Sequence, residues 1–299
     1  MKLLRETFVW LTCILLSLIA TSARGQASQN PSPMTDSTRP HLRIEKVEAA
    51  GKRVALSSLK GATLFTAAKF KNRAAVPLIL HFHGAPWLIE RHIAEEFPKA
   101  ALITVQLGAG SSAYGRPFSD PELFSRLIAE AKDELKLTGE WSSIALTGFS
   151  AGYGSIRAIL RQPENYKLVT SVLLLDGIHA SYEPEGKPLA DGGSIAAGDL
   201  DSFVTFAKDA ALGRKRFVLT HSEIFPGTFA STTECVEHLL GQLGVKRVPI
   251  LRTGPMGMQQ LSSVRKVRFF IFGYAGNSAP DHIDHLHAMP FWLKFLDIK

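Results

Sequence analysis

Six short runs in this chain are apolar along nearly their whole length, and stretches of helical character separate them. Val76 to Phe82 (VPLILHF) and Ala101 to Leu107 (ALITVQL) are the first two, and Trp87 to Ala100 reads as the helix between them. A strand that is apolar on both faces has to lie inside a sheet covered by helices. The alternation continues through a helix at Pro121 to Leu137, a strand at Ser143 to Thr147, a helix at Gly152 to Arg161 and a strand at Val169 to Leu175. A polar, glycine-rich interruption follows. Then come a helix near Leu200 to Leu212, the strand Arg216 to Thr220, a helix near Ser231 to Leu243, the strand Val267 to Phe272 and a final helix to Leu296. Such alternation implies an α/β fold with a mainly parallel central sheet flanked by helices. Two opening strands, His41 to Val47 and Ala62 to Phe70, are expected to be antiparallel, joined by a short turn through Gly51 and Gly61. They bring the expected sheet to about eight strands.

The first residues concern destination rather than fold. Lys2 and Arg5 precede an apolar run from Phe8 to Ala20, and Ala23, Gly25 and Ala27 offer cleavage points, so residues 1–25 read as a secretory signal peptide. The run is shorter than the roughly 18 apolar residues that span a bilayer, and no stable membrane insertion is expected once it is removed. Residues 26–40, rich in Ser, Pro, Asn and Thr, read as a flexible leader, and 41–299 as one domain. The expected location is secreted or periplasmic. Cys13 leaves with the peptide, so Cys235 has no partner for an internal disulfide and stability must come from burial. Loss of Lys2, Arg5, Arg24 and Glu6 takes the formal charge from +7 to +5. Its basic residues are dispersed, with no arginine-rich arm, and nucleic acid is not expected as a partner.

One segment carries chemistry. The strand ending in Ile144-Ala-Leu-Thr147 runs straight into Gly148-Phe149-Ser150-Ala151-Gly152 and then into a helix. A G-x-S-x-G in this setting is a sharp turn that pushes a serine out at the carboxyl end of the sheet, with small flanking residues because side chains there would collide with neighbours. The following helix adds free amides and a positive dipole end. An ordinary glycine-rich turn that binds phosphate is the plainer reading, but no G-x-G-x-x-G follows the first strand.

With this elbow and the His83-Gly84 step after the strand Val76 to Phe82, the chain resembles the α/β-hydrolase superfamily of esterases, lipases and related serine hydrolases. In element order the likeness runs from about Leu42 to the C-terminus. It implies Ser150 as nucleophile, with oxyanion donors at the Ala85 and Ala151 backbone N–H groups. Pro86 has no N–H, so this is not a loop with several free amides. His83 could shape the loop or take part. The family places its histidine after the last strand, where Gly273 to His287 holds three. His282, at the loop-to-helix boundary, is the first choice, His285 is the alternate, and His287 is read as solvated. Two acids compete: Asp176, directly after the strand Val169 to Leu175, and Glu223, after Arg216 to Thr220. Asp176 is preferred because it is aimed at the carboxyl edge of the sheet. The family carries a lid or substrate-binding insertion where this chain has 177–199. Trp87, Phe149 and Tyr153 are candidates for an acyl pocket, as is Tyr182, although aromatics near an elbow also serve as packing.

The expected activity is cleavage of small-molecule carboxylic esters through an acyl-enzyme, with no cofactor and no metal. A serine peptidase or amidase shares the machinery, and a non-catalytic binding protein shares the fold. A zinc hydrolase would use His81-x-His83 with Asp281, His282, His285 and His287, but no further His/Cys cluster completes such a site.

Overall fold

The structure, a computed structural model, describes residues 45–296 and Ile298. The signal peptide, the leader and the start of the first expected strand lie outside the described residues. In chain order the strands are β1 (Gly51–Ala55), β2 (Ala62–Ala67), β3 (Val76–Phe82), β4 (Ala101–Val105), β5 (Trp141–Phe149), β6 (Ser171–Leu175), β7 (Tyr182–Glu183), β8 (Ser194–Ile195), β9 (Arg216–His221), β10 (Val248–Thr253), β11 (Gln259–Lys266) and β12 (Phe269–Tyr274). The helices are α1 (Pro86–Glu96), α2 (Ser111–Gly115), α3 (Leu123–Glu134), α4 (Tyr153–Leu160), α5 (Pro163–Leu168), α6 (Asp201–Ala211), α7 (Thr232–Leu243), α8 (Ala279–His287) and α9 (Met289–Leu293).

Ten strands form one sheet in the order β1-β2-β4-β3-β5-β6-β9-β12-β11-β10. The six apolar runs supply its parallel centre, β4-β3-β5-β6-β9-β12. Both ends are antiparallel. Because successive side chains alternate between faces, each central strand feeds two cores. Leu78, Leu80 and Phe82 of β3 join Phe217 and Leu219 of β9 on one face, under Phe124, Ile156, Phe206 and Leu239 from α3, α4, α6 and α7. Ile79 and Val218 point to the other face, under Leu88 and Ile93 of α1 and Met289 and Trp292 of α9. Each fully buried large apolar side chain contributes about 1.5–3 kcal/mol, which is how a chain whose single described cysteine is free holds together.

The edges differ from expectation. Residues 45–50 carry no strand, Gly51 opens β1 instead of turning the hairpin, and the turn lies between Ala55 and Ala62. The expected eight strands become ten because β10 and β11 form an antiparallel hairpin. Its outer strand is almost wholly exposed, with Leu251 at 76% exposure, carries Pro249, and shifts register between Pro249 and Arg252. Val267, taken as the start of the last strand, is instead the left-handed turn residue (φ 54°) between β11 and β12. The expected last helix is two, α8 and α9, with Pro290 in the first turn of the second. Residues 177–199 fold back through a two-residue antiparallel ladder, Tyr182 with Ile195 and Glu183 with Ser194.

Of the five buried histidines, four bear on stability against acid: His81, His92, His221 and His285. Burial disfavours their charged forms and lowers their pKa values from 6.5, to about 3 for His81 and about 4 for the others. The unfolded chain therefore takes up protons near pH 6.5 that the native chain refuses until about pH 4. Native stability is complete above pH 6.5 and falls as pH drops through that window. Thermal unfolding followed from pH 7.5 to pH 5 should show a falling Tm, with each histidine costing on the order of 1–2 kcal/mol by pH 5; a flat Tm would contradict this burial.

Candidate active site

Three adjacent central strands, β3, β5 and β6, each run into a non-glycine residue in the left-handed region: His83 (φ 67°), Ser150 (φ 47°) and Asp176 (φ 42°). Such conformations cost of order 1–3 kcal/mol each and persist only where the surroundings enforce them. At the elbow the enforcing contacts are backbone to backbone. A Cβ on Gly152 would stand 2.1 Å from the Phe82 carbonyl oxygen, and one on Gly177 would stand 2.4 Å from that of Ser150. The turn after β5 is thus wedged between the ends of its two neighbours, and only glycine fits at either contact. Ser150 opens a short 3-10 turn, Ser150–Gly152, that leads into α4.

Asp176 is 2% exposed. Its carboxylate accepts four hydrogen bonds: Oδ1 from the Ser222 N–H (2.8 Å) and Thr232 hydroxyl (3.0 Å), Oδ2 from the Ser222 hydroxyl (2.8 Å) and His282 Nδ1 (2.7 Å). Burial alone would push its pKa up, yet the group is held well below the ordinary carboxylate range by nearby His285 and His282 charge and by hydrogen bonds from His282 and Ser222. Since burial keeps His285 uncharged above about pH 4, the hydrogen bonds carry this effect at neutral pH. An ionised carboxylate only accepts, so His282 carries its proton on Nδ1 and keeps a lone pair on Nε2. His282 itself lies in the first turn of α8, whose start is fixed by a capping box: Ser278 Oγ accepts from the Asp281 N–H, and the Asp281 carboxylate accepts from Ser278.

Ser150, Asp176 and His282 line one cavity of about 180 Å3, together with Ile224, Pro226 and Phe229. A second cavity of about 310 Å3 also opens on Ser150 and is walled by Ala151, Tyr153, Arg157, His179 and Asp199. The serine therefore stands between two spaces of different character. The 177–199 segment supplies a wall of the second through His179, Ala180, Ser181 and Asp199.

On the β3 side, His81 is buried with Nε2 2.6 Å from the His83 carbonyl oxygen and Nδ1 2.8 Å from the Thr147 hydroxyl, which fixes the loop from below. The Leu107 N–H donates to the Tyr114 oxygen (3.2 Å), leaving the Tyr114 proton to point at His83 Nδ1 (2.9 Å). His83 then carries its own proton on Nε2, and burial, reinforced by the charge of His282, lowers its pKa and keeps it neutral. Ala85 is the N-cap residue of α1, ahead of Pro86. Phe149 is buried, its ring 4.5 Å from that of His282 and stacked at 6.0 Å on His83, so it packs between the two imidazoles.

The remaining candidates lie elsewhere. His285 is buried, bonded through Nδ1 to the Thr220 hydroxyl (2.7 Å) and stacked on Trp292, and lines neither cavity. His287 is buried, not solvated. Glu223 is exposed, and its backbone N–H donates to the Gly276 carbonyl (3.0 Å). Trp87, in the first turn of α1, packs half-buried against the core below, and Tyr182 is buried with its hydroxyl donating to Glu234 (2.8 Å). Among the described residues no group of three or more His, Cys, Asp or Glu side chains converges as a metal site, and no helix is long and apolar enough to cross a membrane. Sequence reading missed Ser222, His179 and Phe229, which come from loops with no local signature, and Thr232, at the start of α7.

No protein-family model matches the sequence, and no curated protein matches it. Solved structures do. A feruloyl esterase module from Clostridium thermocellum is similar at 11% identity and a TM-score of 0.48, over 86% of this chain and 94% of that one. An acylaminoacyl peptidase from Pyrococcus horikoshii aligns at 14% identity and a TM-score of 0.44, over 85% of this chain and 42% of that one. A dienelactone hydrolase-like promiscuous phosphotriesterase from metagenomic libraries aligns at 11% identity and a TM-score of 0.43, over 82% and 97% of the two chains.

Gly152→Ala should reveal how far the elbow depends on its close contact. We expect a stability loss of at least about 2 kcal/mol in denaturant unfolding, since a Cβ would overlap backbone that cannot yield; an unperturbed midpoint would count against the wedge. On its own topology, with six parallel central strands and a strand-turn-helix elbow leaving the middle one, the chain has the α/β-hydrolase fold.

Proposed function

We propose that this chain is a serine hydrolase that cleaves carboxylic esters in two acyl-transfer steps. The observation that carries the reading is the shared cavity: a serine in a strained elbow lines the same space as a histidine one of whose ring nitrogens is held by a buried carboxylate. Ser150 Oγ attacks the ester carbonyl carbon while His282 Nε2 takes the hydroxyl proton. The electron pair on the carbonyl oxygen is met by the Ala151 N–H, in the first turn after the elbow, and by the Ala85 N–H at the start of α1, both ahead of their helices' own bonding ladders. As the carbonyl reforms, the ester C–O bond breaks and the alkoxide leaves with the proton from His282. Water then repeats the sequence against the acyl-serine, regenerating Ser150 and releasing the acid. Asp176 holds His282 in the required tautomer and stabilises its charged form.

The reading includes export through residues 1–25. Cys235 suits an oxidising destination because it is fully buried and burial pushes its thiol pKa up, which leaves it unreactive.

Ser150→Ala should abolish both ester turnover and labelling by a fluorophosphonate. Asp176→Asn should lower kcat by about 10^3–10^4, because the amide can turn the wrong tautomer of His282 toward the serine, and should lower stability by about 1–3 kcal/mol, because the amide nitrogen cannot accept from the donors around it. Rates on p-nitrophenyl acetate and butyrate measure both, and wild-type rates in the Ser150→Ala variant would end the proposal.

A further inference from the structure

Ser150 lies between two unlike cavities, and the mechanism assigns one substrate arm to each. The departing oxygen must collect its proton from His282, so the alcohol arm lies on that side, in the space lined by Ile224, Pro226 and Phe229. The acyl arm extends the other way, past the Ala151 amide into the cavity walled by Arg157. Arg157 stands over the Tyr153 ring at 5.3 Å, with Nη1 3.3 Å from Asp199 Oδ1 and 3.5 Å from the His179 carbonyl. Beyond Arg157 the surface continues into a third cavity of about 330 Å3, which shares Ser111 and Arg157 with the second and adds Arg116 and Arg161. Among the described residues, no acidic one lines this third space. Asp199, the acid bordering Arg157, is shared between two arginines, since it also lies 3.7 Å from Arg161 Nη2. Three guanidinium groups against one carboxylate leave a local excess of two positive charges, reached from the serine along a single groove.

We propose that this groove is an anion subsite and that the chain's substrates are esters whose acyl part ends in a carboxylate, such as monoesters of dicarboxylic acids. Guanidinium forks match a carboxylate in shape as well as charge, and the flanking Ser111 and Ser112 hydroxyls add donors. The neutral arm of the ester occupies the apolar space beside His282. This inference rests on the hydrolase reading and gives it a substrate class.

The test compares phenyl esters of ω-carboxy acyl chains with their ω-carboxamide counterparts, for the wild-type chain, for Arg116→Gln/Arg161→Gln, whose residues are exposed, and for Ser150→Ala. In the wild type, kcat/KM should favour the carboxylate by about tenfold or more, and the preference should shrink as salt rises to about 0.5 M. The double variant should lose about tenfold of that preference while its rate on the carboxamide stays near wild type. A merely structural role for these arginines would instead lower both rates together and overturn the subsite. So would equal rates on the two substrates with Ser150-dependent turnover, a result that leaves the hydrolase reading intact. Esters with a neutral acyl chain and a carboxylate on the alcohol should gain nothing, and a preference for them would overturn the assignment of arms. Turnover that survives Ser150→Ala would remove the reading beneath the proposal.

Discussion

The buried carboxylate of Asp176 is the interaction on which the site depends. Four donors converge on it from three places that are remote in sequence: the loop after β9, the first turn of α7 and the first turn of α8. Burying a charge costs several kcal/mol unless its hydrogen bonds are complete. Here they are, and the arrangement works in both directions. A carboxylate that needs four partners also holds those partners, so the ends of β6 and β9 and the starts of two helices are fixed relative to one another. His282 owes its position to this anchor from one side and to the Ser278–Asp281 capping box from the other.

Backbone strain follows the same geography. Left-handed residues follow β3, β5 and β6, neighbours in the middle of the sheet, and at the elbow after β5 the close contacts with the ends of both neighbours are between main chains. Parallel strands all finish at the same edge, so three strained turns side by side bring the residues that follow each strand into one small region. The precision comes from the stiffness of the sheet, whose central strands are buried on both faces, and the loops inherit it.

The centre of the fold was legible in the sequence and its margins were not. Runs such as VPLILHF and SVLLL can only be double-faced strands, so six parallel strands and the elbow after β5 were readable. The hairpin Val248 to Lys266 was not, because an edge strand buries little and its polar, proline-containing sequence resembles a loop. Among the candidate site residues, Ser150 could be placed by its local pattern and Asp176 by its position directly at a strand end. Choosing among His282, His285 and His287 was harder, since one turn of helix separates a ring facing the cavity from one facing Trp292. Ser222 and Thr232 could not be found at all. Their part depends on where a loop and a helix start arrive in space, which no short-range pattern encodes.

The outermost strand, β10, has a consequence beyond the site. A flat, exposed border of a ten-stranded sheet would present a row of unpaired amides and carbonyls on which another polypeptide could add a further strand. Pro249 removes one of those donors, and the slip in pairing before Arg252 breaks the even spacing that intermolecular extension needs. Along this border the row of free groups is interrupted, which works against the addition of a further strand there.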